Sequence, residues 1–199
     1  MQNVNYQAEL EKIIKENQND CKVPTLLLHS CCGPCSSYVL TYLHEYFRIT
    51  LLYYNPNIYP KEEFDHRLSE QKRLIGFFED VSFMDSEYDH QEYLDYVKGL
   101  EGEPEGGARC RKCFELRLSR TAQLAHDNGF DYFATTLTIS PHKNALVINT
   151  VGKEQEGITG SVIWLPGDFK KKDGYKKSIE LSKKYDLYRQ DYCGCEFAK

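Results

Sequence analysis

The residues best suited to chemistry in this chain are its eight cysteines, because seven of them are grouped. The three groups are Cys31, Cys32 and Cys35; Cys110 and Cys113; and Cys193 and Cys195. Cys21 stands apart in a polar run and is interpreted as a bystander. In a reducing compartment, grouped cysteines more often bind metal ions or carry out redox reactions than form structural disulfides. The sequence therefore leaves two chemistries open, dithiol exchange and metal binding.

The segment Cys-Gly-Pro-Cys at 32–35 is the tetrapeptide with which thioredoxins exchange electrons with disulfides. We expect Cys35 at a helix N-terminus, where free backbone N–H groups and the helix dipole lower the pKa of a thiol and equally favour a metal-bound thiolate. Cys31, however, stands where a thioredoxin has an aromatic residue, and five further cysteines remain unexplained. The tetrapeptide alone is weak evidence for dithiol exchange.

Metal binding accounts for more of the cysteines. Cys110 and Cys113 lie one helical turn apart or on the turn that enters a helix, and Gly194 permits a tight bend between Cys193 and Cys195. Seven grouped thiols exceed the four that a tetrahedral zinc ion or one iron-sulfur cluster requires, so we expect a second centre or catalytic thiols beside the first. The C-x2-C-x2-C-x3-C-P run of bacterial ferredoxins is absent, and any cluster would combine cysteines distant in sequence.

Composition sets the frame for these sites. With 199 residues, 41% of them hydrophobic, the chain is expected to form a single domain over 1–199, with 1–22 as a helical extension and 186–199 as a tail that carries metal ligands. No apolar run approaches the ~20 residues of a membrane span, and the polar N-terminus lacks a signal peptide, so we expect a cytoplasmic protein without a membrane partner. The net charge of −5 is uneven, since the half from residue 109 is basic. This distribution permits a local site for a polyanion, although two solvated faces explain it equally well.

The pattern of apolar residues predicts how the cysteines are positioned. Five short apolar segments predict strands at 25–29, 48–54, 81–85, 130–136 and 161–166. Amphipathic segments predict an N-terminal helix and further helices at 36–47, 61–78, 91–100, 109–129, 141–156 and 174–185. This alternation predicts an α/β fold: a single three-layer Rossmann-like domain with a mainly parallel sheet of about five strands. Ligands of such sheets bind beyond the carboxyl ends of the strands, where the first cysteine group follows strand 25–29.

Polar residues follow the same strand ends and are candidates for substrate contacts. The candidates for substrate binding are Asn55, Asn57, Tyr59, Thr136, Ser140, Asn144 and Arg189; those for proton transfer are His142, Lys143 and Asp191; those for phosphate contacts are Arg109, Arg111, Lys112, Lys170, Lys171 and Lys172. Each has an ordinary structural alternative. The tyrosine can pack against its own loop, and Ser140 can cap a helix with Pro141 at the first helical position. The charged residues can form surface ion pairs or a solvated run. Ser36 or Ser37 is the expected cap of helix 36–47.

Four longer segments together resemble one known family: LLLHSCCGPCSSY, YYNPNIYPKEEFDHR, RCRKCFELRLSRTAQLAHDNGFDYFATTLTISPHKN, and DFKKKDGYKKSIELSKKYDLYRQDYCGC. In these segments the chain resembles the cobalamin-independent epoxyqueuosine reductases, the QueH family of tRNA-modification enzymes. The resemblance implies removal of the epoxide oxygen of epoxyqueuosine at the tRNA wobble position, giving queuosine in the final step of its biosynthesis. It also implies a 4Fe-4S cluster, an additional mononuclear iron, no cobalamin and a low-potential electron donor that the sequence does not name.

The resemblance leads to a hypothesis about the ligands. Cys31, Cys32, Cys110 and Cys113 are assigned to the 4Fe-4S cluster, and Cys35, Cys193 and Cys195 to the second iron. Some family members carry Asp at the position of Cys35, which favours a metal ligand there over an essential disulfide partner. Two other classes of protein stay open: a zinc-stabilised tRNA-binding protein without catalysis, and a thiol-disulfide oxidoreductase. A nucleotide hydrolase is disfavoured, because neither GxxxxGK[ST] nor GxGxxG occurs.

Overall fold

A five-stranded parallel sheet is the centre of the computed structural model, which describes residues 4–198. Its strands are β1 (Thr25–His29), β2 (Arg48–Tyr53), β3 (Ser82–Asp85), β4 (Tyr132–Thr135) and β5 (Ile163–Trp164). They lie in the order β3-β2-β1-β4-β5, and every pair is parallel. The expected α/β fold with a parallel sheet of about five strands is confirmed.

Helices cover both faces of the sheet. They are α1 (Tyr6–Asn19), α2 (Gly33–Leu43), α3 (Lys61–Ile75), α4 (His90–Tyr96), α5 (Ala108–Asp127), α6 (Ala145–Thr159) and α7 (Gly174–Lys184). Leu26 and Leu28 of β1 pack on the face with residues of α1, α2 and α3, whereas Leu27 packs on the face with α4, α5 and α6. Because neighbouring strand residues point to opposite faces, one fully apolar strand supplies both cores.

The strand order reverses between β1 and β4. In this parallel pair Leu28 is in register with Ala134 and His29 with Thr135, so both strands end at the same edge. In doubly wound sheets the connections leave this point in opposite directions, which opens a crevice that binds ligands. The first cysteine group directly follows His29 and therefore lies at this crevice.

The expected N-cap of helix α2 is wrong. Helix α2 begins at Gly33 with Cys32 as its N-cap and Pro34 in its first turn, so Ser36 and Ser37 lie within the helix. Proline starts a helix readily because its φ is already helical and its missing N–H would be unpaired there in any case. The early start places Cys35 in the first turn, where the sequence predicted a helix N-terminus.

Helix α6 also begins later than expected. Its cap is Asn144, whose Oδ1 accepts hydrogen bonds from the N–H groups of Leu146 and Val147, whereas Ser140 and Pro141 precede the helix. A short 3-10 helix at Thr136–Ile139 uses the residues after β4 and ends at Ser140. Five residues, 140–144, therefore lie between the two helices, and the first four of them line the crevice.

Two edge elements are shorter than the sequence predicted. Strand β5 comprises only Ile163–Trp164, because it pairs on one side alone and Pro166 has no N–H to extend the ladder. Helix α4 ends at Tyr96 rather than continuing to residue 100. Within residues 4–198, no helix has the length and apolar character that crossing a lipid bilayer requires.

Candidate metal centre

Three thiols converge where β1 passes into α2. The Sγ atoms of Cys31, Cys32 and Cys35 all lie within 4.8 Å of one another, and those of Cys31 and Cys32 are 3.7 Å apart. Cys32 is 1% exposed. Its extended backbone at the N-cap, followed by the first turn of α2, brings the side chains of residues 31, 32 and 35 to one side. This convergence is suited to a metal ion that prefers sulfur ligands.

The three thiols ionise in a fixed order. Hydrogen bonds from the Cys32 and Cys35 thiols, with further help from the charges of Lys143 and Arg117, hold the pKa of Cys31 well below its usual value. The same contacts raise the pKa of Cys32 to about 12 and raise that of Cys35 well above the usual value. The first of the three thiols to ionise is therefore Cys31, and its thiolate accepts hydrogen bonds from its two neighbours.

In the reduced, metal-free chain we expect one thiolate that persists well below pH 8. Folding then releases a proton, because the unfolded thiol stays protonated up to about pH 8.5. This contribution to the free energy of unfolding is fully present above that pH and is lost as the pH falls through the lowered pKa of Cys31. Thiolate absorbance at 240 nm, followed against pH, measures it. Cys31→Ser should remove the low-pH step, and an unchanged step would assign the thiolate to another cysteine.

The remaining four grouped cysteines approach each other from two elements. Cys110 and Cys113 lie one turn apart on α5, and Cys193 and Cys195 lie on the tail after α7. Burial, and then the nearby charges of Cys193 and Cys195, raise the pKa of Cys113 to about 12. The phenol of Tyr93 lies 3.0 Å from the Sγ of Cys195 and can donate to that sulfur once it is a thiolate. These four thiols form a second sulfur-rich region.

This geometry favours a different division of ligands from the one hypothesised from the sequence. Cys35 lies with Cys31 and Cys32, rather than apart from them with the tail cysteines. Cys110 and Cys113 interact electrostatically with both tail cysteines, and Cys193 also lines the cavity beside the triad. The assignment of each sulfur to a particular metal centre stays a prediction.

A buried arginine lies between the two sulfur regions. Arg117 is 2% exposed, and its guanidinium donates to Asn55 Oδ1 at 2.7 Å and approaches Cys113 Sγ at 3.9 Å. Among residues 4–198 no carboxylate pairs with it. Its pKa is raised, although burial opposes this, by the charges of Cys113, Cys31 and Cys193. Arg117 is therefore a permanent positive charge aimed at groups that become negative when they bind metal.

Two further arginines hold the tail that carries the last cysteines. Arg67 of α3 is 2% exposed; it pairs with Glu63 at 2.6 Å and donates to the carbonyl of Cys193 at 3.1 Å. Arg109 of α5 is 1% exposed and donates to the carbonyls of Glu101, Glu103 and Phe197. The prediction that Arg109 contacts phosphate is therefore wrong, because its side chain is enclosed by backbone oxygens.

Gly194 fixes the bend between the two tail cysteines. Its φ is +94°, and a Cβ there would lie 3.0 Å from the guanidinium of Arg67. We expect Gly194→Ala to lower the free energy of unfolding by about 1–2 kcal/mol, from left-handed backbone strain and the crowded Arg67, and to weaken metal binding at the tail. Urea unfolding measures the first effect and metal content the second.

Gly157→Ala is the matched control, because Gly157 lies in α6 with nothing within 4 Å of an added Cβ. It should raise the free energy of unfolding by roughly 0.5–1 kcal/mol through helix propensity. If Gly194→Ala behaved like this control, the bend would not constrain the tail.

A cavity of about 460 Å³ opens beside the triad and collects many of the residues proposed from the sequence. The sequence-predicted residues that line it are Cys31, Cys32, Cys35, Asn55, Asn57, Ser140, His142, Lys143, Arg189, Asp191 and Cys193. They come from four separate segments, which meet because the carboxyl ends of β1, β2 and β4 share one edge. Asn55 has both polar atoms in use, donating to the carbonyl of Ser30 and accepting from Arg117.

Other predicted residues lie outside this cavity. Tyr59 is 47% exposed and stacks on His90, and Thr136 is fully buried with its Oγ1 3.9 Å from Cys31 Sγ. Asn144 caps α6. The basic side chains of the surface pair with acidic ones: Arg111 with Glu115 and Glu154, Lys112 with Glu115, Lys170 with Asp168, and Lys172 with Glu11. Neighbouring carboxylates thus already compete for these proposed phosphate contacts.

Sequence reasoning missed four residues of the site: the buried Arg67, Tyr93 and Arg117, and the half-buried Gln190. For Arg117 a signal was available, because Arg109, Cys113 and Arg117 are spaced four apart on α5 and share one helix face. Arg67 and Tyr93 belong to helices without cysteines, and nothing in their own segments points to the site.

Comparison with known proteins agrees with the cysteine-lined crevice. The family model described as epoxyqueuosine reductase QueH matches residues 26–199. The chain belongs to the epoxyqueuosine reductase QueH family. The family match includes every grouped cysteine and both strands that border the crevice.

Individual relatives match along almost the whole chain. The epoxyqueuosine reductase QueH of Streptococcus pyogenes serotype M1 is 44% identical over 202 residues, covering 99% of this chain and 79% of the relative. That of Staphylococcus epidermidis is 43% identical, with 99% and 85% covered. The more distant enzyme of Thermotoga maritima is 34% identical, with 87% and 90% covered. The similarity to the family therefore extends well beyond the cysteine motifs.

Proposed function

We infer that this chain is an epoxyqueuosine reductase. The reaction converts an epoxide into an alkene: two electrons and two protons enter, both C–O bonds of the epoxide break, and the oxygen leaves as water. The observation that carries this conclusion is the family match over residues 26–199 together with the convergent thiols at the sheet crevice. A reductive reaction requires an electron carrier at the cavity, and the thiols are the groups there that can hold one.

We propose an iron-sulfur cofactor, a 4Fe-4S cluster with an additional iron and without cobalamin. The donor set fits such a group, because Fe-S clusters are held by cysteine thiolates and the thiols of Cys31, Cys32 and Cys35 lie within 4.8 Å of one another. We assign Cys110, Cys113, Cys193 and Cys195 to one centre and Cys31, Cys32 and Cys35 to the other. The electrostatic interaction of Cys110 and Cys113 with both tail cysteines supports this assignment. When bound, the group supplies single electrons and a Lewis acid for the epoxide oxygen.

Lys143 is the side chain placed to meet negative charge in the cavity. It is half-buried, and its Nζ forms no hydrogen bond or ion pair within residues 4–198. The thiolate charges of Cys193, Cys31 and Cys35 raise its pKa despite burial. A lysine held in its charged form stabilises negative charge that develops on the leaving oxygen.

Two neighbouring residues are suited to deliver protons. His142 and Asp191 are exposed at the rim of the same cavity, where they exchange protons with solvent. The N–H of His142 donates to Ser140 Oγ at 3.3 Å, which fixes the loop on which it lies. We assign proton delivery to this pair and charge stabilisation to Lys143.

The substrate is a nucleotide of tRNA, so the target base must leave its stack to enter the cavity. The cavity opens at the tail segment with Arg189, whose Nη1 donates to Ser182 Oγ at 3.4 Å, and this arginine is proposed as a contact to the RNA. A separate low-potential donor protein must supply the electrons.

The decisive experiment uses protein purified without oxygen and tRNA that carries epoxyqueuosine, with a chemical one-electron reductant. Mass spectrometry of the digested tRNA should show loss of one oxygen from the modified nucleoside, and the protein should contain iron and labile sulfide. Stoichiometric zinc without sulfide, and intact epoxyqueuosine, would instead support the zinc-stabilised RNA-binding alternative.

A further inference from the structure

Three residues that line the cavity carry buried polar atoms that lack hydrogen-bond partners. The atoms are Asn57 Oδ1, Arg67 Nη2 and Gln190 Oε1. Asn57 is 1% exposed and Arg67 is 2% exposed. Because burying a polar atom without a partner costs roughly 1–3 kcal/mol, three such atoms at one cavity indicate a ligand that completes their hydrogen bonds.

These atoms are held in place by their own side chains' other contacts. Arg67 uses Nε for Glu63 and Nη1 for the carbonyl of Cys193, which leaves Nη2 without a partner. Gln190 lines the cavity together with Cys32, and its Oε1 has no partner. The free atoms are therefore two acceptors and one donor on residues that share a cavity with the thiol triad.

The set consists of two acceptors and one donor. A pair of neighbouring hydroxyl groups matches it, because each hydroxyl donates one hydrogen and a hydroxyl oxygen also accepts one. Cys31, Cys32 and Cys35 line the same cavity, which places the set beside the thiols, where the reacting epoxide must lie. In epoxyqueuosine the epoxide shares its five-membered ring with two hydroxyl groups, whereas the deazaguanine edge lies at the other end of the base.

We propose that Asn57, Arg67 and Gln190 form a diol-binding subsite that holds the hydroxylated carbocycle of the substrate and so orients its epoxide toward the thiol triad. This inference rests on the proposed function, and it assigns Asn57 to the carbocycle rather than to the edge of the base. Arg67 thereby acts twice, as a ligand contact and as a support of the cysteine-bearing tail.

A binding comparison tests the subsite without turnover. One tRNA carries queuosine and the other carries 7-aminomethyl-7-deazaguanine at the same position, so the two differ only by the cyclopentenediol. Wild-type protein should bind the queuosine tRNA more tightly. Asn57→Leu and Gln190→Leu should each reduce that preference by about tenfold, the equivalent of one lost hydrogen bond to a ligand, and should leave binding of the other tRNA unchanged.

Gln123→Leu is the control, since Gln123 lies on α5 and bonds only Asp127 within the described residues. Gln190 is on the surface tail, so its variant keeps the test valid even if Asn57→Leu fails to fold. The subsite is wrong if wild type shows no preference, if both leucine variants keep it, or if they weaken both tRNAs equally, which would assign these residues to the base edge. Reduction of epoxyqueuosine by wild type is scored separately, so failure of the reductase activity remains distinguishable.

Discussion

Cys32→Ser is expected to remove iron from the protein and to lower reductase turnover by at least about 100-fold. Cys32 is 1% exposed and lies 3.7 Å from Cys31, so its sulfur is enclosed with the triad rather than free to exchange with solvent. Serine keeps the small side chain and a hydrogen-bond donor but not the soft sulfur that iron prefers. Changes in groups that merely orient metal ligands already cost 10–100-fold, so loss of a direct ligand should cost at least as much.

Iron and labile sulfide content, with turnover on epoxyqueuosine tRNA, measure this effect. The control is Cys21→Ser, since Cys21 is exposed and outside both sulfur regions, and it should match wild type. Full iron content and turnover in Cys32→Ser would exclude the triad as a metal site. Unchanged iron and turnover in Cys193→Ala and Cys195→Ala would likewise exclude the tail cysteines.

Arg117→Met is expected to weaken metal binding by about 10–100-fold while preserving the fold. The guanidinium is enclosed without a carboxylate partner in the described chain, and the charges around it are those of cysteines. In the metal-free protein most of these thiols are neutral, so the arginine is buried with little compensation. In the metal-bound protein they are thiolates, and the positive charge stabilises them. Methionine fills a similar volume but supplies no charge.

The measurement is the difference in stability between metal-loaded and metal-free protein. Because ligand binding stabilises the folded state in proportion to the logarithm of its affinity, this difference should shrink by about 1.4–2.7 kcal/mol in Arg117→Met. The control is Arg120→Met, which changes an exposed arginine of α5 three residues after Arg117. This variant should leave the stability difference unchanged. An equal loss of stability in both metal states would mean that Arg117 serves packing alone.

The sequence by itself determined the fold class and the residues able to carry the chemistry. Short apolar strands alternating with amphipathic helices determine a parallel sheet, because strand and helix periodicities are local properties of the chain. That sheet in turn places the cysteines after 25–29 at a ligand edge. The one-turn spacing of Cys110 and Cys113 on a helix was readable for the same reason.

Helix starts were less accessible, because several residues compete for each cap. Ser140 and Asn144 both have capping side chains, and the choice of Asn144 depends on the 3-10 helix that the chain forms after β4. Pro34 likewise starts α2 ahead of Ser36. These decisions shift a boundary by a few residues and leave the fold unchanged.

Only the tertiary structure decided which sulfurs are neighbours and which charges surround them. Cys35 joins Cys31 and Cys32 because α2 begins early, and Arg67 meets the carbonyl of Cys193 across 126 positions of sequence. Arg117 and the unpartnered oxygen of Asn57 become informative only once their burial is known. Burial and contacts between distant segments arise from packing of the whole chain, and no local pattern encodes them.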